Sequence, residues 1–235
     1  MAISENSQTG CLLAEDQRLF YLDTMGIQVW QSLEQQPGGV ETEAFVNRDA
    51  IWKQLEQAVS DCTKCGLHES RTQAVFGVGN KNADLLIIGE APGRDEDLQG
   101  EPFVGRAGQL LNAMLAAIGF QRDQVYIANI LKCRPPNNRD PKPEEAEACD
   151  PWLQQQIELI QPVVILALGR IAAHRLLNTE QSLGALRGKQ YNYAGIPLIV
   201  SYHPAYLLRK PVEKRKSWQD LKRIKLMLNS DGSST

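Results

Sequence analysis

Four short apolar runs recur along the chain, at 84–88, 125–131, 163–168 and 196–201. Runs of this length, rich in Ile, Leu and Val, read as strands buried on both faces. Between them, apolar positions return every three or four residues over 108–118, 144–160 and 170–177. That is the spacing of helices with one buried face. Strands alternating with helices predict parallel βαβ crossovers and a three-layer α/β/α sandwich around a central, mainly parallel four-stranded sheet. In such sheets ligands lie outside the carboxyl ends of the strands. The residues at those ends therefore carry the functional information.

The first strand ends in Gly89-Glu90-Ala91-Pro92-Gly93, followed by Arg94-Asp95-Glu96. Gly and Pro there predict a tight loop with exposed backbone N–H groups. The loop alone fits a phosphate site, a site for a planar ring, or an ordinary βα turn. The second strand ends at Asn129, the third in Gly169-Arg170, and the fourth in Ser201-Tyr202-His203-Pro204. Each has a structural explanation by itself. Glu90, Asn129 and His203 at equivalent strand ends predict one rim bearing a carboxylate, an amide and an imidazole.

Outside this alternation, residues 1–48 divide into a polar start, a helix over roughly 14–25 and a Gln/Pro/Gly/Glu linker at 35–43. From Asp49 the helical spacing of Ile51, Leu55 and Val59 leads into Cys62-Thr63-Lys64-Cys65. A length of 235 residues with 43% hydrophobic content suits one α/β domain plus an extension. No run approaches a membrane span, and no basic segment precedes an apolar one near the start, so a cytoplasmic protein with no membrane partner is expected.

The five cysteines, 11, 62, 65, 133 and 149, then favour a metal site over a disulfide framework. A redox CxxC sits after a strand and before a helix, whereas here a helix precedes it. Cys133 and Cys149 are candidate partners for the pair. Their spacing leaves zinc and iron–sulfur chemistry both open. Cys11 reads as a spare thiol.

Charge is unevenly placed. Residues 1–61 hold three basic and ten acidic side chains, whereas the remaining 22 basic and 18 acidic side chains leave 62–235 at +4. Within Arg209–Lys225 eight basic residues face only Glu213 and Asp220. Such a run is either a solvated face or the footprint of a nucleic acid.

Several segments together resemble the family 4 uracil-DNA glycosylases, the iron–sulfur branch of the uracil-DNA glycosylase superfamily. They are Cys62-Thr63-Lys64-Cys65, Gly89-Glu90-Ala91-Pro92-Gly93 with Glu96, and Pro102-Phe103-Val104-Gly105-Arg106-Ala107-Gly108. Asn129-Ile130-Leu131-Lys132-Cys133-Arg134-Pro135-Pro136, Cys149 and His203-Pro204-Ala205-Tyr206-Leu207-Leu208-Arg209 complete the set. The likeness covers about residues 49–228, which it implies are the glycosylase domain, with 1–48 an extension and 229–235 a flexible tail. It implies that Cys62, Cys65, Cys133 and Cys149 hold a [4Fe–4S] cluster of structural role.

The implied reaction is hydrolysis of the N-glycosidic bond of uracil in single- or double-stranded DNA, leaving an abasic site and initiating base excision repair. A monomer is expected. By the resemblance Phe103 stacks on the base, while Asn129 donates to O4 and accepts from N3–H. The backbone at Ala91 helps hold the base, and Glu96 crowds its C5 edge. His203 donates to O2 of the departing base, and Glu90 stabilises the sugar cation or orients water. In another branch an Asp that activates water stands where this chain has Ala91, which cannot do acid–base work. Leu207 or Leu208 fills the gap left by the flipped base. Arg209, Lys210 and the Lys214–Lys216 run hold phosphates.

Four alternatives compete with this reading. A non-catalytic iron–sulfur DNA-binding module has no use for the rim residues, and a superfamily relative with another damaged-base range keeps them. The branch that couples covalently to DNA is disfavoured because no second histidine lies between His203 and Trp218. A phosphate-binding enzyme is disfavoured because Glu90 repels phosphate and no Walker-type lysine follows.

Overall fold

All four apolar runs form strands, and two further strands flank them. The structure, a computed structural model, describes the backbone of residues 40–231 and the side chains of 48–229. The strands are β1 (Val78–Gly79), β2 (Leu85–Gly89), β3 (Tyr126–Asn129), β4 (Val164–Leu168), β5 (Gln190–Tyr193) and β6 (Ile196–Ser201). They form one sheet in the order β1-β3-β2-β4-β6-β5. The four inner strands are parallel, and β1 and β5 add antiparallel edges.

The sheet therefore has six strands rather than the expected four. β1 is only two residues long. β5, Gln-Tyr-Asn-Tyr, has no fully buried position and lacks the apolar signal of the inner strands. A two-residue turn joins it to β6, with Ala194 and Gly195 both at positive φ (49° and 89°). That geometry matches the twist of a tight hairpin.

The helices are α1 (Val40–Ser60), α2 (Arg94–Gln99), α3 (Arg106–Ala117), α4 (Pro143–Ile160), α5 (Arg170–Leu177), α6 (Leu183–Leu186), α7 (Pro204–Arg209) and α8 (Lys214–Asp231). Alternation along the strands sorts the core into two halves. Leu86, Ile88, Ala128, Ile165 and Ala167 face α1, α4 and α5 through Leu55, Leu153, Ile157 and Ala173. Leu85, Ile87, Ile127, Val164 and Leu166 face α3, α7 and α8 through Leu111, Leu115, Leu207 and Ile224. The three-layer expectation holds.

α8 shows what the basic run conceals. Ser217, Asp220, Leu221 and Ile224 recur at helical spacing and are buried, while the lysines and arginines between them point outward. Asp220 accepts from Arg187 (2.6 Å) and from the Ser201 hydroxyl (2.7 Å). The segment is thus a packed helix as well as a charged face.

α1 begins at Val40, inside the end of the expected linker, and runs through the expected boundary at 48/49. The helix called at 14–25, the rest of the linker and Cys11 lie outside the described residues. Among the described residues no helix is long and apolar enough to cross a membrane.

Candidate active site

Register brings the rim together. Gly89 pairs with Asn129, and Leu168 pairs with Ser201, so the residues following these strands share one edge. The parallel ladder continues one step beyond β2 and β3. Ile130 N–H donates to the Gly89 carbonyl and Leu131 N–H to the Glu90 carbonyl, both at 3.0 Å. Strand order reverses between β2 and β4, which opens a crevice at their carboxyl ends. A cleft of about 450 Å³ lies there, lined by Glu90, Ala91, Glu96, Phe103, Asn129 and His203. That volume is at the scale of a small-molecule site.

The floor is built around Gly89. A Cβ there would lie 2.4 Å from Asn129 Oδ1 and 2.7 Å from Phe103 Cζ, so only glycine lets both side chains close over the strand end. Phe103 itself has φ 53°, a left-handed conformation unusual for a bulky residue. Its surroundings over-determine it. The Arg122 guanidinium donates to the Phe103 and Pro102 carbonyls. A Cβ at Gly108 would meet the Phe103 carbonyl oxygen at 1.7 Å. Asn129 is 2% exposed. Its main-chain carbonyl accepts from Lys132 (3.0 Å), but among the described residues its side-chain amide has no hydrogen-bond partner.

His203 caps α7, with the Ala205 N–H donating to Nδ1 at 3.2 Å. In the neutral ring the proton is therefore on Nε2. Burial and the nearby Arg209 charge hold the imidazole pKa down at about 4, so the neutral Nε2–H form is present at physiological pH. Phe103 stacks on this ring at 5.3 Å between centroids and 27° between planes. Gly169, at φ 93°, lies under the histidine, and a Cβ there would come within 3.1 Å of His203 Cβ.

Glu90 behaves differently from an ordinary surface carboxylate. Burial, then the Asp140 carboxylate, raise its pKa to about 7, against the opposing pull of Arg170. Glu96 is also on the cleft, but its oxygens accept from the backbone N–H groups of Gly93 (3.1 Å), Val104 (3.1 Å) and Gly105 (3.4 Å). Its carboxylate staples the Gly-rich loop to the Phe103 segment. It thereby has a scaffold task while remaining on the cleft wall.

Leu207 is 1% exposed and packs in the core with Leu111, Leu115 and Leu221. Of the two leucines expected at the vacated stack, Leu207 faces the core, whereas Leu208 beside it is half-buried. Arg209 lines the mouth of the cleft, and Lys210 is exposed next to it.

Pro135, Asn138, Arg139 and Tyr206 also line the cleft; Pro135 and Tyr206 fall within segments singled out in the sequence, whereas Asn138 and Arg139 do not. Asn137 and Asn138 both have positive φ (55° and 52°), and Arg139 is fixed by a two-pronged pair with Glu145. For Asn138 and Arg139 the sequence signal was the turn-forming Pro-Pro-Asn-Asn run at 135–138.

The cysteines gather on the α1–α4 side of the sheet. Cys62 and Cys65 lie between α1 and a 3₁₀ turn at Gly66–Glu69, Cys133 follows β3, and Cys149 is on α4. All four border one small cavity together with Lys132 and Trp152. Arg71 donates to Cys133 Sγ (3.1 Å), and the Lys132 main-chain N–H to Cys149 Sγ (3.3 Å). Burial pushes the Cys133 thiol up and the Cys149 thiol to about 11. Bare thiolates are disfavoured there, and a bound cationic centre reverses that preference. Among the described residues no group of three or more His, Cys, Asp or Glu side chains is placed to hold a metal ion. Four cysteines around one cavity, with N–H donors aimed at two of the sulfurs, are a donor set that suits a thiolate-held metal centre.

Residues 76–222 match the family model described as the uracil DNA glycosylase superfamily. The chain is 48% identical over 178 residues to the Type-4 uracil-DNA glycosylase of Archaeoglobus fulgidus, covering 72% of this chain and 89% of that one. It is 45% identical over 177 residues to the Type-4 enzyme of Pyrobaculum aerophilum, covering 72% and 90%. With the Type-4 enzyme of Thermotoga maritima it shares 41% over 189 residues, covering 79% and 98%.

Proposed function

The chain belongs to the uracil DNA glycosylase superfamily, and from that premise we propose how its cleft excises uracil from DNA. The reaction is hydrolysis of the N-glycosidic bond, which releases the base and leaves an abasic site, the first step of base excision repair. The observation that carries this reading is the Asn129 amide: it is 2% exposed, without a side-chain partner among the described residues, and it borders the cleft. An amide held against a cleft without a protein partner is free to hydrogen-bond what the cleft receives.

The target base leaves the helical stack and enters the cleft. Phe103 offers it an aromatic face, held ready by the strained backbone and the Arg122 clamp. Asn129 donates to uracil O4 and accepts from N3–H. As the C–N bond breaks, negative charge grows on the departing base and positive charge on the sugar. The neutral His203 donates its Nε2–H to O2. A preorganised donor of this kind is worth about 3–4 kcal/mol in the transition state. Glu90, as carboxylate, stabilises the sugar cation and orients the attacking water, as carboxylates do in glycoside hydrolysis. Ala91 contributes backbone only. Leu208 fills the vacated stack, while Arg209 and Lys210 hold phosphates.

Cys62, Cys65, Cys133 and Cys149 would hold a [4Fe–4S] cluster, which when bound would tie together the segment after α1, the turn after β3 and helix α4. Residues 49–228 act as a monomeric cytoplasmic glycosylase on single- or double-stranded DNA. A non-catalytic DNA-binding module has no use for an unpartnered amide and a neutral imidazole donor on one cleft. The test is purified protein incubated with an oligonucleotide carrying a single uracil, then alkali. Cleavage at the uracil position is expected, and none on either single- or double-stranded substrate refutes the reading.

A further inference from the structure

Lys132 is 1% exposed, and its ammonium meets neutral partners. It donates to the Asn129 carbonyl at 3.0 Å and to Gln156 Oε1 at 2.6 Å. Among the described residues no carboxylate forms an ion pair with it. Gln156, itself fully buried, is fixed from behind: its Nε2 donates to the Phe76 carbonyl (2.9 Å) and to the Tyr126 hydroxyl (3.3 Å). A buried ammonium facing only dipoles loses more in hydration than neutral hydrogen bonds return. Such a charge persists where an opposite charge is near.

The nearest source of that charge is the cysteine cavity. Lys132 borders it, precedes Cys133, and gives its main-chain N–H to Cys149 Sγ at 3.3 Å. Four thiolates around an iron–sulfur core leave the assembly net negative. Arg71 also donates to Cys133, but it is only half-buried and its other hydrogen bond goes to the Ser60 carbonyl, away from the base pocket. Lys132 is thus the cation that touches both the cysteine side and the strand end bearing Asn129.

We infer that Lys132 is the positioning residue that couples the cysteine-held centre to the base-reading amide. Its buried charge neutralises the thiolate cage, and its two hydrogen bonds fix the turn from Asn129 to Cys133. It touches neither base nor sugar. The base-reading half of this inference rests on the function proposed above; the charge half does not.

The test uses holoprotein carrying Lys132→Met or Gln156→Met, with iron content checked. Two readouts are taken: the reduction potential of the cluster, and the ratio of uracil to cytosine excision under single turnover. Loss of the buried cation in K132M should favour the oxidised cluster at least tenfold, which is about 59 mV for one electron. It should also lower the uracil preference tenfold or more. Q156M removes no charge, so it should lower the preference while leaving the potential in place. An unmoved potential in K132M overturns the counter-ion role, and an unmoved preference in both variants overturns the positioning role. Should K132M fail to accumulate as holoprotein, Lys132→Gln takes its place with the same two criteria. Absence of excision by the unsubstituted protein would defeat the glycosylase reading yet leave the potential shift to be judged alone.

Discussion

Replacing Asn129 by Asp changes one NH₂ to an oxygen in a site that is 2% exposed, so it tests base reading with almost no change in shape. In the proposed pose the amide makes two bonds to uracil, to O4 and from N3–H. Against cytosine both polarities are reversed: amine meets amine, and carbonyl meets a ring lone pair. Each buried group left unmade costs about 1–3 kcal/mol. Two such groups give about 2–6 kcal/mol, or roughly 30-fold to 10⁴-fold discrimination. An Asp keeps an acceptor for N3–H, sets a carboxylate oxygen against O4, and offers cytosine's amine an acceptor. Uracil excision by N129D should therefore fall about 10- to 100-fold while cytosine excision rises. The assay is single-turnover cleavage of matched oligonucleotides carrying uracil or cytosine at one position, with circular dichroism and visible absorption confirming fold and cluster. A uracil-to-cytosine ratio in N129D equal to that of the unsubstituted protein would refute the assignment of Asn129 as the reading group.

Glu90, with its pKa raised to about 7, is protonated below that pH and ionised above it, so excision should climb through neutrality to a plateau. Glu90→Gln should lower the plateau and erase that limb; a limb surviving in E90Q would assign it to another group. The sign for stability runs the other way. The folded pKa stands above the ordinary 4.5, so the buried carboxylate costs stability once pH passes that value and in full above about 7. E90Q should accordingly raise Tm at alkaline pH and leave it unchanged in acid. Gly89→Ala forces a methyl to within 2.4 Å of Asn129 Oδ1 and 2.7 Å of Phe103 Cζ, so uracil excision should drop at least about 100-fold with DNA affinity kept. Measuring rate and affinity together checks this, and equal losses in both would deny the floor its role. Replacing Arg209 and Lys210 with Ala should reduce the slope of log affinity against log salt by about two. An unchanged slope would place the phosphates elsewhere.

The inner sheet and its rim were legible because parallel strands are buried on both faces and leave continuous apolar runs, and because their carboxyl ends must align. Glu90, Asn129 and His203 follow from that alignment alone. What escaped has physical reasons. β5 is an edge strand in which exposed Gln190 and Asn192 alternate with half-buried Tyr191 and Tyr193, so it lacks the continuous apolar run of the inner strands. The inward positions of α8, Ser217, Asp220, Leu221 and Ile224, are half polar, because Asp220 is there to receive Arg187 and Ser201. Leu207 and Leu208 are indistinguishable as residue types, and only the helical phase of α7 decides which faces the core. The work of Glu96 lies in backbone N–H groups up to nine positions away, which no side-chain pattern records. Lys132 reads as a surface residue by type and is buried because of the cysteines around it.

The proposed mechanism turns on a neutral histidine that stabilises the departing uracil in this cleft. It is tested most directly by single-turnover excision and DNA binding measured side by side for the unsubstituted protein and His203→Ala. The unsubstituted protein should release free uracil in an amount equal to the alkali-labile sites it creates. H203A should bind the same DNA within about twofold while excising it about 10²–10³-fold more slowly. A variant that loses rate and affinity equally, or one that excises at the unsubstituted rate, contradicts the account.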